Sequence, residues 1–386
     1  MPHKRLILIL QISIGFLAAG YGVMFTMLDD WREQFGISET GLGFIVAIGF
    51  FTSFFAQLTI APLADKGHAR RLLTYGVALN VVGCIVMGYS TAMMGFVGGR
   101  FLMGVGAGMA IPAIKRIVIV SDPENIGKNL GRGVAIEVGG FALGPMISAL
   151  TIGTFGLAAP FLILATILVV MVVAIARETI LETAVEDQTD ERFALDLLRI
   201  RPLAGAILIG VALYVMIGVF DPLWVVMMDD LGAPNWIGNA GVSIFGMPWI
   251  LFATVGGAIA QKYGPFRVSA FGLVIGAFYM AAYGFIGSPY VMLGVAVTQS
   301  ALDALTVTGT GIAVAHAAPP QRQAGASGLL GGIQTLTGGI VALAAGSVYE
   351  HFGRGVAFGT TGIVMFSLVC GGCLLAGPKL LRRPLH

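Results

Sequence analysis

Ionisable side chains inside long apolar stretches are the residues of this chain that could do chemistry. Asp303, Glu137 and Arg100 lie within such stretches, and Lys115 and Asp221 lie nearer to the ends of theirs. Charged groups are costly inside a membrane, so those found there usually bind a ligand or transfer protons. Asp303 is near the middle of its stretch, where burial disfavours a charge, and we predict that it carries a proton. Glu137 is the second candidate.

A wider set of side chains is predicted to surround a cavity. Lys115 lies roughly 60° around a helix from Arg100, so both can face one cavity wall. Glu137 can pair with Lys115 or Arg116, either to neutralise buried charge or as a switch that a proton or ligand breaks. The predicted cavity residues are Arg100, Lys115, Phe25, Asp221 and Trp224.

No catalytic or metal-binding pattern accompanies these charges in the sequence. Cys370 and Cys373 have the spacing of a redox or zinc motif, but they lie in an apolar stretch without further ligands nearby. We interpret them as packing residues. The basic residues are spread over short segments and give a net charge of only +2, which does not indicate nucleic-acid binding. We therefore predict no enzyme activity, metal or cofactor.

The elements that must position these residues are membrane-spanning helices. Hydrophobic residues make up 57% of the 386 residues and charged residues 11%, against roughly 25% charged in soluble domains. Twelve stretches approach the roughly 20 apolar residues that a spanning helix needs. The predicted spans are 6–28, 40–63, 72–93, 95–120, 131–155, 157–176, 203–226, 240–260, 267–287, 289–314, 325–349 and 354–376.

The spans form two similar halves. Asp65-Lys66 has a counterpart in Gln261-Lys262 at an offset of about 196 residues, and Phe352-Gly353 similarly repeats Phe155-Gly156. Lys and Arg concentrate in segments on one side, which predicts that both termini are cytoplasmic. We expect an all-α membrane protein with two pseudo-symmetric six-helix bundles, 1–176 and 203–386, joined by a cytoplasmic linker, 177–202. Paired repeats are typical of secondary transporters.

Segment 61–71, between the second and third spans, resembles a loop motif of the major facilitator superfamily, Gly-x-Leu-Ala-Asp-Arg-x-Gly-Arg-Arg. Ala61 and His68 replace the two glycines of that motif. The resemblance extends over essentially the whole chain. It implies that a charge network locks the two halves on the cytoplasmic side. The residues that would form this cytoplasmic gate are Asp65, Lys66, Arg70 and Arg71.

Two further motifs are similar to those of the same family. Gly140, Gly144 and Pro145 match a helix-bend motif of its antiporters, with Ser148 in place of a final glycine. Glycines four residues apart let a neighbouring helix approach closely, and proline bends its own helix. Segment 100–108 looks like a third motif, whose arginine, here Arg100, the family links to proton coupling.

The resemblance implies the twelve-span drug:proton antiporter branch. We expect proton-coupled efflux of a small hydrophobic or amphiphilic compound by alternating access. An importer or uniporter of a small anionic metabolite is the alternative, since Arg100, Lys115 and Arg116 would suit an anion. A membrane enzyme or an assembly protein is a third, weaker possibility. The expected partners are the substrate, protons and lipid. We expect a monomer in the bacterial cytoplasmic (inner) membrane.

Overall fold

The structure is a computed structural model that describes residues 2–182 and 193–382. Every regular element in these two ranges is helical, which agrees with the predicted all-α class. The helices are α1 Pro2–Thr26, α2 Leu28–Phe35, α3 Glu39–Thr59, α4 Ala69–Tyr89, α5 Met93–Ser121, α6 Ile126–Phe155, α7 Ala159–Ala176, α8 Arg201–Asp230, α9 Asn235–Tyr263, α10 Pro265–Tyr283, α11 Pro289–Ala317, α12 Gln323–Ala376 and α13 Pro378–Arg382.

Eleven helical stretches among the described residues are long and apolar enough to cross a membrane. The last of them, Pro320–Ala376, contains 57 residues and exceeds what one crossing requires. Its helix α12 is interrupted at Gly353, which has the left-handed φ of 78° that glycine adopts without steric cost. The interruption falls between the predicted spans 325–349 and 354–376. A total of twelve spans stays a prediction.

The chain divides into two compact units. Unit 1 comprises Met1–Glu124, Ile136–Leu195 and Pro319–Gly332, and unit 2 comprises Asn125–Ala135, Asp196–Ala318 and Ile333–His386. Each unit therefore includes one short piece from the other half of the sequence. In unit 1 this piece contains the first turns of α12, and in unit 2 it contains the first turns of α6.

Unit 1 is held together by helices that approach closely at glycines. On α5, a Cβ at Gly104 would overlap the Gly49 carbonyl and the Thr52 side chain of α3. A Cβ at Gly106 would overlap the Gly76 carbonyl of α4. Because apolar side chains gain little by leaving lipid for protein, such backbone contacts supply much of the packing free energy between spanning helices. The glycines of segment 100–108 are thus packing residues.

Unit 2 has a core of stacked aromatic side chains. Phe220 and Trp224 on α8 pack with Phe245 on α9 and Tyr283 on α10, at ring-centroid separations between 4.6 and 5.3 Å. Tilted and edge-on ring pairs at these separations are the favourable geometries for aromatic contacts. This core joins three helices of unit 2.

Candidate functional site

Asp65 binds the first turn of α12 in unit 1. It lies in a 3₁₀ turn, Ala61–Lys66, and its side chain is 1% exposed. The N–H of Ala324 donates to Oδ1 at 3.0 Å, and the N–H of Gly325 donates to Oδ2 at 2.7 Å. The first N–H groups of a helix have no partner within the helix and carry a partial positive charge, so an ionised carboxylate stabilises them. Asp65 therefore caps α12 from a distant part of the chain.

Two buried arginines complete the surroundings of Asp65. Arg116 Nε on α5 lies 3.4 Å from Asp65 Oδ1, and Arg322 exerts a further electrostatic attraction on the same carboxylate. Arg116 is 4% exposed and Arg322 is 7% exposed. We call Asp65, Arg116, Arg322 and the first turn of α12 the Asp65 cluster. Its cations neutralise a buried carboxylate that would otherwise be costly.

The remaining predicted gate residues lie beside this cluster. Arg70 is exposed and its guanidinium donates to the carbonyl of Ala176, the last residue of α7. Arg71 is exposed, and Lys66 is half-buried. The structure therefore brings Asp65 together with Arg116 and Arg322, two cations that the loop motif did not indicate.

The two described ends of the linker form hydrogen bonds with other residues of unit 1. Glu182 accepts the backbone N–H groups of Ala69 and Arg70 at 3.0 and 2.8 Å, and so caps the N-terminus of α4. The carbonyl of Leu181 accepts a hydrogen bond from Arg116 at 3.2 Å. At the other end of the linker, the carbonyl of Phe193 accepts one from Arg322 at 2.9 Å.

Arg100 is fully buried in unit 1 and stacks on aromatic rings. Its guanidinium carbon lies 4.0 Å from the ring centroid of Tyr21 on α1 and 5.6 Å from that of Phe50 on α3. Within ranges 2–182 and 193–382, no group accepts a hydrogen bond from its three nitrogens. A cation over the faces of two rings is attracted by their quadrupoles, which is worth about 2 kcal/mol when water is excluded. A Cβ at residue 49 would overlap the side chain of Arg100, so Arg100 fits there because residue 49 is a glycine.

The predicted helix-bend motif is the contact between α6 and α1. A Cβ at Gly140 would overlap the backbone of Gly15, and a Cβ at Gly144 would overlap the backbone of Gly22 and Val23. One helical turn further on, the hydroxyl of Thr26 donates to that of Ser148 at 3.0 Å. Pro145 lies inside α6, where it removes one backbone hydrogen bond. Two faces of small residues therefore bring these helices together.

Glu137 and Lys115 are both half-buried. Neither forms an ion pair with any residue that the structure describes. The predicted partnership of Glu137 with Arg116 gives way to the pairing of Arg116 with Asp65, because Arg116 points toward the 3₁₀ turn. Among the residues described, Glu137 is a carboxylate without a fixed counter-charge.

Unit 2 repeats the capping arrangement of Asp65 with a neutral side chain. Gln261, the counterpart of Asp65 in the sequence repeat, lies near the end of α9. Its Oε1 accepts the N–H of Gly127, in the first turn of α6, at 2.7 Å. A Cβ at Gly127 would overlap the carbonyl of Gly257, so α6 begins directly against α9. Gln261 therefore caps a helix as Asp65 does, but without a charge.

Asp303 lies in the middle of α11 and is 2% exposed. It lies one helical turn after Gln299, and Tyr283 on α10 is close enough to interact with it electrostatically. A Cβ at Gly276 would lie 3.7 Å from its Oδ1. No residue in the described ranges donates a hydrogen bond to Oδ1 or forms an ion pair with the carboxylate. Asp303 is thus a buried acid among neutral groups.

Two other predicted cavity residues, Asp221 and Trp224, differ from each other in exposure. Asp221 is exposed on α8, immediately before Pro222. Trp224 is fully buried in the aromatic core, and its Nε1–H donates to the carbonyl of Ile237 at 3.3 Å. In this conformation Trp224 therefore packs within unit 2 and leaves no surface for a ligand. The side chain of Phe25 lies outside the described part of the structure.

Several residues of these sites were not identified from the sequence. Arg116 was considered only as a partner of Glu137 or as a surface residue, and Arg322 and Glu182 only as loop charges. Their hydrogen bonds and ion pair join residues between 51 and 129 positions apart, beyond the reach of helical spacing. In the ranges that the structure covers, no group of three His, Cys, Asp or Glu residues could hold a metal.

Two known bacterial proteins are similar in sequence to this chain. The multidrug resistance protein MdtG of Dickeya zeae (strain Ech586) is 25% identical over 302 residues, which is 74% of this chain and 74% of that protein. The quinolone resistance protein NorA of Staphylococcus aureus (strain MRSA252) is 28% identical over 149 residues, 37% of each chain.

Solved structures share the fold at low sequence identity. The human organic anion transporter MFSD10 (TETRAN) has a TM-score of 0.74 at 16% identity, covering 97% of this chain and 100% of that one. The E. coli fucose:proton symporter FucP has a TM-score of 0.76 at 17% identity over the same shares. The family model of the Major Facilitator Superfamily matches residues 10–228 and 206–384. The chain is therefore an integral membrane transporter, not an enzyme, and it belongs to the Major Facilitator Superfamily.

Proposed function

We propose that this transporter exports a small hydrophobic or amphiphilic compound in exchange for protons. The observation that carries the proposal is Asp303, a buried carboxyl group without a cationic partner among the described residues. An ionised carboxylate in such a place costs free energy, and binding a proton removes that cost. A proton can then favour one conformation of the transporter over another.

The direction of transport rests on the relatives. MdtG is named a multidrug resistance protein and NorA a quinolone resistance protein. A transporter confers resistance when it moves the drug out of the cell. We infer the same direction here. The contact of α6 with α1 through Gly140 and Gly144 supports it, because the motif resembles that of antiporters.

The charges of unit 1 argue against the alternative, import of an anionic metabolite. That alternative depended on three cations of one helix being available to an anion. Arg116 is instead paired with Asp65, and Arg100 is buried against Tyr21 and Phe50. Of the three, Lys115 alone is left without such a contact in the part of the chain that the structure describes.

Transport by purified protein in proteoliposomes tests the proposal. An acidic interior should drive accumulation of a lipophilic cation such as ethidium, and Asp303→Asn should abolish this accumulation. Exchange of labelled for unlabelled ethidium without a pH gradient should survive in the variant, since exchange needs no net proton transfer. Asp229→Asn, an exposed carboxylate at the end of α8, is the matched control. Gradient-driven accumulation that persists in Asp303→Asn would exclude this residue as the proton carrier.

We further propose that the Asp65 cluster is the cytoplasmic gate. Its hydrogen bonds hold the first turn of α12 against the 3₁₀ turn of unit 1. A buried carboxylate that binds two backbone N–H groups and an arginine makes a stable but breakable contact. The gate would open when α12 leaves Asp65.

A further inference from the structure

The linker binds both arginines that surround Asp65. Arg116 donates to the carbonyl of Leu181 at 3.2 Å, and Arg322 donates to the carbonyl of Phe193 at 2.9 Å. These two carbonyls belong to opposite ends of the linker, before and after the segment 183–192. A guanidinium has several donors in a fixed plane, so a bond to a carbonyl also fixes the direction of its remaining donors.

The first end of the linker is itself held firmly. Glu182 accepts two backbone N–H groups from the start of α4, and Glu178 pairs with Arg5 on α1 at 3.0 Å. The two acidic residues are not equivalent. Glu182 is adjacent to Leu181 and so fixes the carbonyl that Arg116 contacts, whereas Arg5 is 73% exposed and its pair contributes little.

A continuous set of contacts therefore connects the linker to the Asp65 cluster. It runs from the start of α4 through Glu182 and Leu181 to Arg116, and from Arg116 through Asp65 to the first turn of α12. All of these residues lie in unit 1. Release of Glu182 would free the Leu181 carbonyl and allow Arg116 to turn away from Asp65.

We propose that the linker is part of the gate: Glu182 is a positioning residue that, through Leu181, orients Arg116 on Asp65 and keeps α12 bound. The inference rests on the proposed role of the Asp65 cluster as a gate. It adds that a change in the linker alters the gate without touching any residue of the cluster. A partner or modification that displaced Glu182 would then favour the open gate.

Labelling of a cysteine on α12 measures the gate directly. Ser327 is 9% exposed and lies one turn after Ala324, and Ser327→Cys changes its size little. Cys84, Cys370 and Cys373 are first replaced by alanine, and the full-length protein is reconstituted in liposomes. The rate of modification by a membrane-impermeant maleimide then reports how often this turn becomes accessible.

Glu182→Ala and Glu178→Ala form the matched pair. Glu182→Ala should speed labelling about fivefold, the effect of losing one helix cap on an equilibrium, while Glu178→Ala should leave the rate unchanged. Thermal unfolding of both variants shows whether the fold is retained. If Glu182→Ala accelerates labelling no more than Glu178→Ala, the linker has no role in the gate and the inference is wrong.

A third variant separates this inference from the gate itself. Asp65→Asn should accelerate labelling whether or not the linker takes part. Acceleration by Asp65→Asn alone would overturn the linker inference and leave the gate standing. No acceleration by Asp65→Asn would overturn the gate, and the linker inference with it.

Discussion

Replacing Asp65 by asparagine should open the Asp65 cluster by a predictable amount. The amide keeps one oxygen for one of the two N–H groups of α12 but turns an NH₂ group toward the other, and it loses its attraction to Arg116. Breaking one partner of a buried ion pair costs about 3 to 5 kcal/mol. Taking the lower value, the equilibrium between bound and released α12 shifts by about a hundredfold, since 1.4 kcal/mol is a factor of ten.

The labelling rate of Ser327→Cys is the assay for this shift. When opening is fast compared with modification, the rate follows the open population, so it should rise by up to about a hundredfold until the gate is mostly open. Asp30→Asn, a half-buried carboxylate of α2 in the same unit, is the control and should not change the rate. Equal labelling of Asp65→Asn and the parent protein would refute the reasoning, because it would mean that these three contacts do not hold α12.

Three other predictions follow from packing and capping. Gly144→Ala should destabilise the protein by about 2 kcal/mol through overlap with α1, whereas Gly153→Ala on the same helix, where a Cβ meets nothing within 4 Å, should not; thermal unfolding in detergent compares them. Arg100→Lys should lower stability by about 1 kcal/mol, because an ammonium stacks less well on Tyr21 than a guanidinium does; an unfolding temperature equal to that of the parent would contradict this. Gln261→Ala should lower the free energy of unfolding by about 1 to 2 kcal/mol, because it leaves a buried N–H of α6 without its acceptor. Gln261→Glu keeps an acceptor oxygen and should be as stable as the parent protein in the same assay.

The extent to which the sequence predicted the molecule differs between helices and sites. The apolar lengths predicted spans close to α5 and α8, and the Phe352-Gly353 boundary coincides with the interruption of α12. Helix α2 was not predicted, since it is short and polar, and only its packing, as at the buried Trp31, shows why it forms.

The sites depended on contacts that a single sequence does not display. Asp65 stood out through its motif, but its partners lie on α5 and α12, and helical spacing relates only residues on one helix. The surroundings of Trp224 were equally hidden from the sequence, and its place in a cavity stays a prediction. An aromatic residue on a spanning helix can face a cavity or the core equally well, and only the rings around it show that it faces the core.

The paired caps of Asp65 and Gln261 have a consequence for the history of the chain. A backbone N–H is satisfied by an amide oxygen as well as by a carboxylate, so a duplicated cap can lose its charge and still hold its helix. Gln261, the neutral cap, needs no arginines to compensate a charge, so the residues around it can be substituted more freely. The acidic copy depends on Arg116 and Arg322 to compensate its charge, and so on the segment that orients them. Divergence in this protein should therefore be slower around Asp65 than around Gln261, a difference that an alignment of close homologues would reveal.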